Sequence, residues 1–190
     1  MSDMRESIPT LNIAQTAKVL AAGEVLAYPT ESCFGLGCDP RNLTAIEKII
    51  QLKARSANKG LILIAASAEQ AEEYVDWSAS PYQQEINDSW PGPNTWLLES
   101  KPSVLPLLRG GFSRLAIRVT AHPIASEICA AFGGAIVSTS ANLAGNDALL
   151  TAHQVAQVFG KKVQISVGEI GIDSKPSTIR DGLTGEILRK

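Results

Sequence analysis

The segment Ala135-Ile136-Val137-Ser138-Thr139-Ser140-Ala141-Asn142 passes in one step from an apolar strand to a run of hydroxyl and amide groups. Such groups hydrogen-bond well around a phosphate or phosphoester. A similar step occurs near the front, where the strand pattern Val25-Leu26-Ala27-Tyr28 ends at Pro29 and gives way to Thr30-Glu31-Ser32. A third polar exit follows an amphipathic helix, at Leu52-Lys53-Ala54-Arg55. Ligands of α/β proteins gather where strands end, so a fold that draws these exits together makes a site.

Around them, extended and helical patterns alternate. Asn12 to Ala22 reads as a helix with Ile13, Ala17, Leu20 and Ala21 on one face and Gly23 as its stop. Asn42 caps a second helix carrying Ile46, Ile49 and Ile50 to about Lys53. Leu61-Ile62-Leu63-Ile64 is the kind of run buried on both faces of a sheet. Ser67 and Gln70 suit a capping box. Thr95 to Leu98 and Leu115 to Val119 read as strands, Pro123 to Phe132 as a helix closed by Gly133, and Thr151 to Phe159 as a helix ended by Gly160. Val163 to Val167, Thr178 to Arg180 and Glu186 to Leu188 are short strands, the last two joined by a Gly-containing turn. The class is α/β. Short loops between the late strands predict a mixed sheet.

Composition narrows the function. The 190 residues suit one domain, 1–190, and 45 % hydrophobic residues supply a core. A net charge of −2 argues against a polyelectrolyte held by overall charge, but Lys53, Arg55, Lys59, Arg109, Arg114 and Arg118 can still gather locally. Cys33, Cys38 and Cys129 form no disulfide framework, and with His122 and His153 in different elements they form no zinc pattern. No metal site in the protein is expected. Polar Met1 to Thr10 reads as no signal peptide, and no apolar run approaches the ~20 residues of a membrane span. A soluble, reduced, cytoplasmic protein without membrane contact is the expectation. Gly35-Leu36-Gly37 has the first two glycines of a dinucleotide fingerprint, but Pro40 stands where the third belongs. No Walker loop exists, so a nucleotide would be held by side chains and loop amides.

Taken together, the segments resemble the YrdC-like family of threonylcarbamoyl-AMP synthases. The family pattern Lys-x-Arg and Ser-x-Asn stands as Lys53-Ala54-Arg55 and Ser140-Ala141-Asn142. The flanks are similar at Tyr28-Pro29-Thr30-Glu31, Lys59-Gly60-Leu61, Trp90-Pro91-Gly92-Pro93-Asn94-Thr95, Leu115-Ala116-Ile117-Arg118-Val119 and Pro176-Ser177-Thr178-Ile179. The resemblance implies an open twisted mixed sheet with flanking helices and a concave basic cavity. It implies a nucleotidyltransferase that joins L-threonine, bicarbonate and ATP, carried with Mg2+, into threonylcarbamoyl-AMP and pyrophosphate. A separate transferase complex would then modify tRNA at adenosine 37.

Residue by residue, the resemblance gives Thr30, Arg118 and Ser177 to threonine. It gives Lys53 and Arg55 to the ATP phosphates and the reacting centre, and Lys59, Ser138, Ser140, Asn142 and Arg189 to the nucleotide. Ile62-Leu63-Ile64 covers the region where longer relatives carry a histidine near threonine, so that imidazole contact is missing here. The competing reading is an RNA-binding or ribosome-maturation module with a basic cavity. Against it stand the net acidity and only 5 % aromatic residues, which leave room for weak tRNA contact at most.

Overall fold

The computed structural model describes residues 8–78, 80–172 and 175–190; most of the polar segment Met1 to Thr10, read above as no signal peptide, lies outside them. Its strands are β1 (Leu26–Pro29), β2 (Phe34–Gly37), β3 (Ile62–Ala65), β4 (Val75–Asp76), β5 (Asn94–Ser100), β6 (Arg114–Val119), β7 (Ile136–Ser140), β8 (Gln164–Ile165), β9 (Thr178–Asp181) and β10 (Ile187–Arg189). They form one sheet in the order β10-β9-β5-β6-β3-β7-β2-β1-β8, with β4 added beside β5. The sheet is mixed. β3 runs parallel to β6 and antiparallel to β7, while β5 pairs antiparallel with β6 and parallel with β9.

Both faces of the central strands are covered, which is why their sequences are continuous apolar runs. Successive residues of β3 and β7 enter different cores. Leu63 and Val137 join the larger core, whereas Ile64 and Ile136 join the smaller one. The smaller core is closed by α1 (Ile13–Ala21) and α6 (Pro123–Phe132), through Leu20, Ile128 and Cys129. The larger takes α2 (Leu43–Leu52), α3 (Ala68–Glu72) and α7 (Ala152–Phe159), through Ile46, Ile49, Ala71, Val155 and Phe159. Two short helices, α4 (Gln83–Ser89) and α5 (Pro106–Arg109), complete the chain order.

Caps fix the helix entries. Asn42 Oδ1 accepts from the Ala45 amide at 3.1 Å, as its sequence position suggests. The Ser67 capping box is altered. Ser67 Oγ does accept from the Gln70 amide, at 3.4 Å, but Gln70 Oε1 accepts from the amide of Ala66 rather than of Ser67.

Gly35-Leu36-Gly37 forms most of β2, between β1 and β7. Its glycines serve packing. A Cβ at Gly37 would lie 2.6 Å from the Val137 carbonyl oxygen and 2.8 Å from the Tyr28 ring. Glycine here lets the fully buried Tyr28 ring lie against the neighbouring strand.

Candidate functional site

α2 ends in a Schellman turn: the Ala54 amide donates to the Gln51 carbonyl at 3.0 Å, and the Arg55 amide to the Ile50 carbonyl at 3.1 Å. The turn needs a left-handed residue, and Ala54 occupies it at φ 49°. A glycine would adopt this without cost; an alanine does so at roughly 1 kcal/mol. The reversal sends the two cations apart. Lys53 turns inward and is 3 % exposed, whereas Arg55 reaches a cavity of about 360 Å³.

Lys53 is fully occupied inside the protein. Its Nζ donates to the Ser140 carbonyl, to the Asn142 carbonyl at 2.9 Å and to Asn142 Oδ1 at 2.8 Å. An ammonium has three hydrogens, and all three are used. Asn142 Oδ1 also accepts from Ser140 Oγ at 2.7 Å, and Asn142 Nδ2 donates to the Asn146 carbonyl at 2.6 Å. Burial, and then the Arg55 charge, lowers the Lys53 ammonium to about 8, against a smaller opposing pull from Cys33. Neither Lys53 nor Asn142 lies on the cavity wall. The pair braces the loop that follows β7, behind residues on the wall, whereas the resemblance gives both to the nucleotide.

The wall itself collects Thr30, Arg55, Arg118, Ser138, Ser140, Ser177 and Arg189, brought from six separate segments. Lys59 lines a neighbouring hollow of about 260 Å³, together with Arg109 and Arg114. The two hollows share Arg55, Leu61, Ile62 and Arg189. Ile62 on the wall leaves the place of the missing histidine apolar.

Three guanidiniums and several hydroxyls therefore face one space, with no carboxylate among the described residues lining it. Arg55 Nη2 donates to the Gly60 carbonyl at 3.1 Å, while its Nε is buried without a partner. Burial lowers the Arg55 guanidinium from its ordinary value. Partial burial also lowers Arg189, and the charges of Arg118 and Arg55 add to that. Mutual repulsion of this kind is relieved by an anion. Arg189 Nη2 donates to the Ser177 carbonyl at 2.8 Å and to Ser177 Oγ at 3.2 Å. Ser177 Oγ in turn sits 2.8 Å from the buried Thr95 hydroxyl.

Arg118 is 7 % exposed and already has a carboxylate partner. Its Nη1 and Nη2 donate to Glu31 Oε1 and Oε2 at 2.5 and 2.8 Å. Thr120 Oγ1 donates to the same Oε1 at 2.7 Å. Burial raises the Glu31 carboxyl, but the bonds and charge of Arg118 outweigh it and bring the group down to about 2. Residue types alone do not expose this pair: Glu31 reads as an ordinary turn acid, and Thr95 as an ordinary strand residue. No group of three or more His, Cys, Asp or Glu side chains gathers among the described residues.

Residues 18–190 match the Sua5/yciO/yrdC family, described as "Telomere recombination". The chain is 47 % identical, over 98 % of its length and 100 % of the relative's, to a threonylcarbamoyl-AMP synthase of Enterobacter sp. (strain 638). It is 47 % identical to one of Nitrosococcus oceani, over 95 % of this chain and 98 % of the other. Among solved structures, P. abyssi Sua5 complexed with L-threonine superposes with a TM-score of 0.84 at 30 % identity, over 92 % of this chain and 54 % of that one. With the family pattern spanning most of the sequence and relatives matched nearly end to end, this chain belongs to the Sua5/YciO/YrdC family.

Proposed function

We infer that this protein is a threonylcarbamoyl-AMP synthase, forming L-threonylcarbamoyladenylate and pyrophosphate from L-threonine, bicarbonate and ATP. One observation carries the reading. A single cavity holds both the threonine-type residues Thr30, Arg118 and Ser177 and the phosphate-type residues Arg55, Ser138, Ser140 and Arg189. Near-full-length identity to proteins named for this activity supports it. The RNA-binding reading gains no comparable support.

In the reaction, the threonine amine first attacks the bicarbonate carbon to form a C–N bond, and the hydroxyl of the broken C–O bond leaves as water with one amine proton, giving a carbamate. A carbamate oxygen then attacks the α-phosphorus of ATP, and pyrophosphate leaves with the electron pair of the broken P–O bond. The protein's share is positioning and charge neutralisation. Arg118 and the Thr30 and Ser177 hydroxyls hold threonine. Arg55, with its unpartnered Nε, faces the charge that develops on the phosphates. Ser138 donates to phosphate oxygens, Ser140, whose hydroxyl proton goes to Asn142 Oδ1, lines the same wall, and Arg189 covers the nucleotide side. Lys53 and Asn142 act one step back, by holding the Ser140 loop.

The lining of hydroxyls and guanidiniums is no cage for a divalent cation. Magnesium therefore enters as part of the substrate, carried on the triphosphate. The product passes to a transferase that modifies adenosine 37 of tRNA, with any tRNA contact by this chain weak. The expected location is the cytoplasm; no helix among the described residues is long and apolar enough to cross a membrane.

The test is incubation with MgATP, bicarbonate and labelled threonine, read by mass spectrometry for the adenylate. Pyrophosphate release should require threonine and bicarbonate together. ATP hydrolysis to ADP that ignores threonine, or tight salt-dependent tRNA binding without turnover, would overturn the reading.

A further inference from the structure

We propose that Glu31 is a positioning residue of the synthase, fixing Arg118 and Thr30 relative to one another so that the pair accepts the amino-acid substrate. The inference rests on the synthase reading above.

Glu31 is held from several directions. Its Oε1 accepts from Arg118 Nη1, from Thr120 Oγ1 and, at 3.3 Å, from the Ala121 amide, while Oε2 accepts from Arg118 Nη2. Its backbone is pressed as closely. A Cβ at Gly171 would fall 2.7 Å from the Glu31 carbonyl oxygen and 3.0 Å from its Cα, and the Gly171 amide donates to the Thr30 carbonyl at 2.9 Å. The β1–β2 loop thus cannot slide past the strap at Gly171.

These bonds join two parts of the site that are remote in sequence. Thr30 precedes Glu31 in the β1–β2 loop, and the Thr30 hydroxyl donates to the Cys33 carbonyl at 2.7 Å, which leaves its oxygen free to accept. Arg118 and Thr120 belong to the end of β6 and the residues after it. The end-on pairing uses one N–H on each terminal nitrogen of Arg118 and leaves the guanidinium's other donors for the cavity it lines. Glu31 also supplies a negative charge behind a wall that otherwise presents three guanidiniums. Free of it, Arg118 would sample other rotamers, and Arg55 and Arg189 would feel its full charge.

The experiment titrates L-threonine into the ATP-free protein by calorimetry and measures steady-state kinetics on the same samples. Glu31→Gln keeps the shape and removes the charge. It is expected to weaken threonine binding and raise the threonine KM at least tenfold, with kcat at saturating threonine within threefold of wild type and the ATP KM within twofold. Glu31→Asp, one methylene shorter, should recover part of the loss. Thr120→Val, which removes one support and keeps the carboxylate, should raise the threonine KM a few-fold and serves if Glu31→Gln folds poorly. Unchanged or tighter threonine binding in Glu31→Gln and Thr120→Val would overturn the proposal, and tighter binding would mark Glu31 as a competitor for Arg118. Equal losses for threonine and ATP would overturn it too, as a general electrostatic effect. If the wild-type protein itself binds no threonine, the synthase reading falls, and that outcome is distinct from a failure of Glu31.

Discussion

The cavity wall braced by Glu31, Lys53 and the loop after β7 keeps its charges paired inside the protein, whereas the wall carrying Ser177 and Arg189 sits at the sheet edge. In the first, Lys53 and Arg118 are buried and each is matched by oxygens it contacts directly. In the second, every residue of β10 is exposed, and among the described residues the Arg189 guanidinium bonds only to Ser177. Buried charge is tolerated only where it is fully partnered, so the first wall is rigid and sensitive to substitution. The second wall has less to lose on opening. One cavity thus combines a preorganised side with an adjustable one, which suits a reaction that admits three substrates and must release a bulky adenylate together with pyrophosphate.

The largest effect is expected at Lys53. Lys53→Ala removes the ammonium from the Ser140 and Asn142 carbonyls and from Asn142 Oδ1, leaving the Asn142 amide on the Ser140 carbonyl and the Ser140 hydroxyl on Oδ1. At ~1.5–3 kcal/mol for hydrogen bonds to a charged group, a total loss of about 3 kcal/mol is expected. For a chain of this size that lowers the melting temperature by about 6–12 °C. Adenylate formation should fall with it, because Ser140 loses its brace. A melting temperature within 2 °C of wild type would erase the contrast between the walls.

Arg55→Ala separates the two cations of the same turn. Its loss should leave the melting temperature within about 2 °C, since only bonds to the Lys59 and Gly60 carbonyls are broken. Adenylate formation should fall at least ~100-fold, the ~2.7 kcal/mol typical of one preorganised donor. Arg55→Lys should recover little, because a point charge does not reproduce a planar fork. A stable variant with wild-type turnover would remove Arg55 from the site.

Lys53 and Arg55 also mark where reading the sequence stops. Sequence periodicity locates α2 and its end, because Ile46 and Ile49 are spaced for one face and Asn42 caps it. It does not say that Ala54 turns left-handed, so it cannot say that one cation points in and the other out. The long strands are legible for the same reason: runs such as Leu61 to Ile64 are buried on both faces. β2 is hidden because two of its four residues are glycines, a composition that suggests a loop until the Tyr28 ring is seen to need the space. α4 is too polar and α5 too short to declare itself. In the site, hydroxyls and cations advertise a phosphate. The Glu31–Arg118 pair does not, since nothing local in Thr30-Glu31-Ser32 identifies a partner 87 positions away.

On the adjustable wall the effect should be smaller. Arg189→Ala removes an exposed cation whose guanidinium bonds to the Ser177 backbone and hydroxyl. About a tenfold rise in the ATP KM is expected, ~1.4 kcal/mol, with the melting temperature unchanged. The threonine KM should shift less, through the freed Ser177 hydroxyl. A loss as large as that of Arg55→Ala would show that the edge wall is as preorganised as the other.

The smallest effect is a matter of pH. The Glu31 carboxyl titrates near 2 in the folded protein, below its ordinary value of 4.5, because the bonds and charge of Arg118 overcome the cost of burial. Between those values the unfolded chain binds more protons than the folded one, so stability rises with pH across the window. The contribution is complete above about pH 5 and is lost as the pH falls toward 2. At pH 4 only the upper part of the window has been crossed, and a loss of about 1 kcal/mol relative to pH 7 follows from this one group. Glu31→Gln has no carboxyl to protonate. Its stability at pH 7 should be lower than wild type, and its decline from pH 7 to pH 4 shallower by that amount. Urea midpoints at pH 7, 5 and 4 would measure the difference. Parallel declines for the two proteins would mean that Glu31 is not held as an anion by Arg118, and the rigid wall would lose one of its braces.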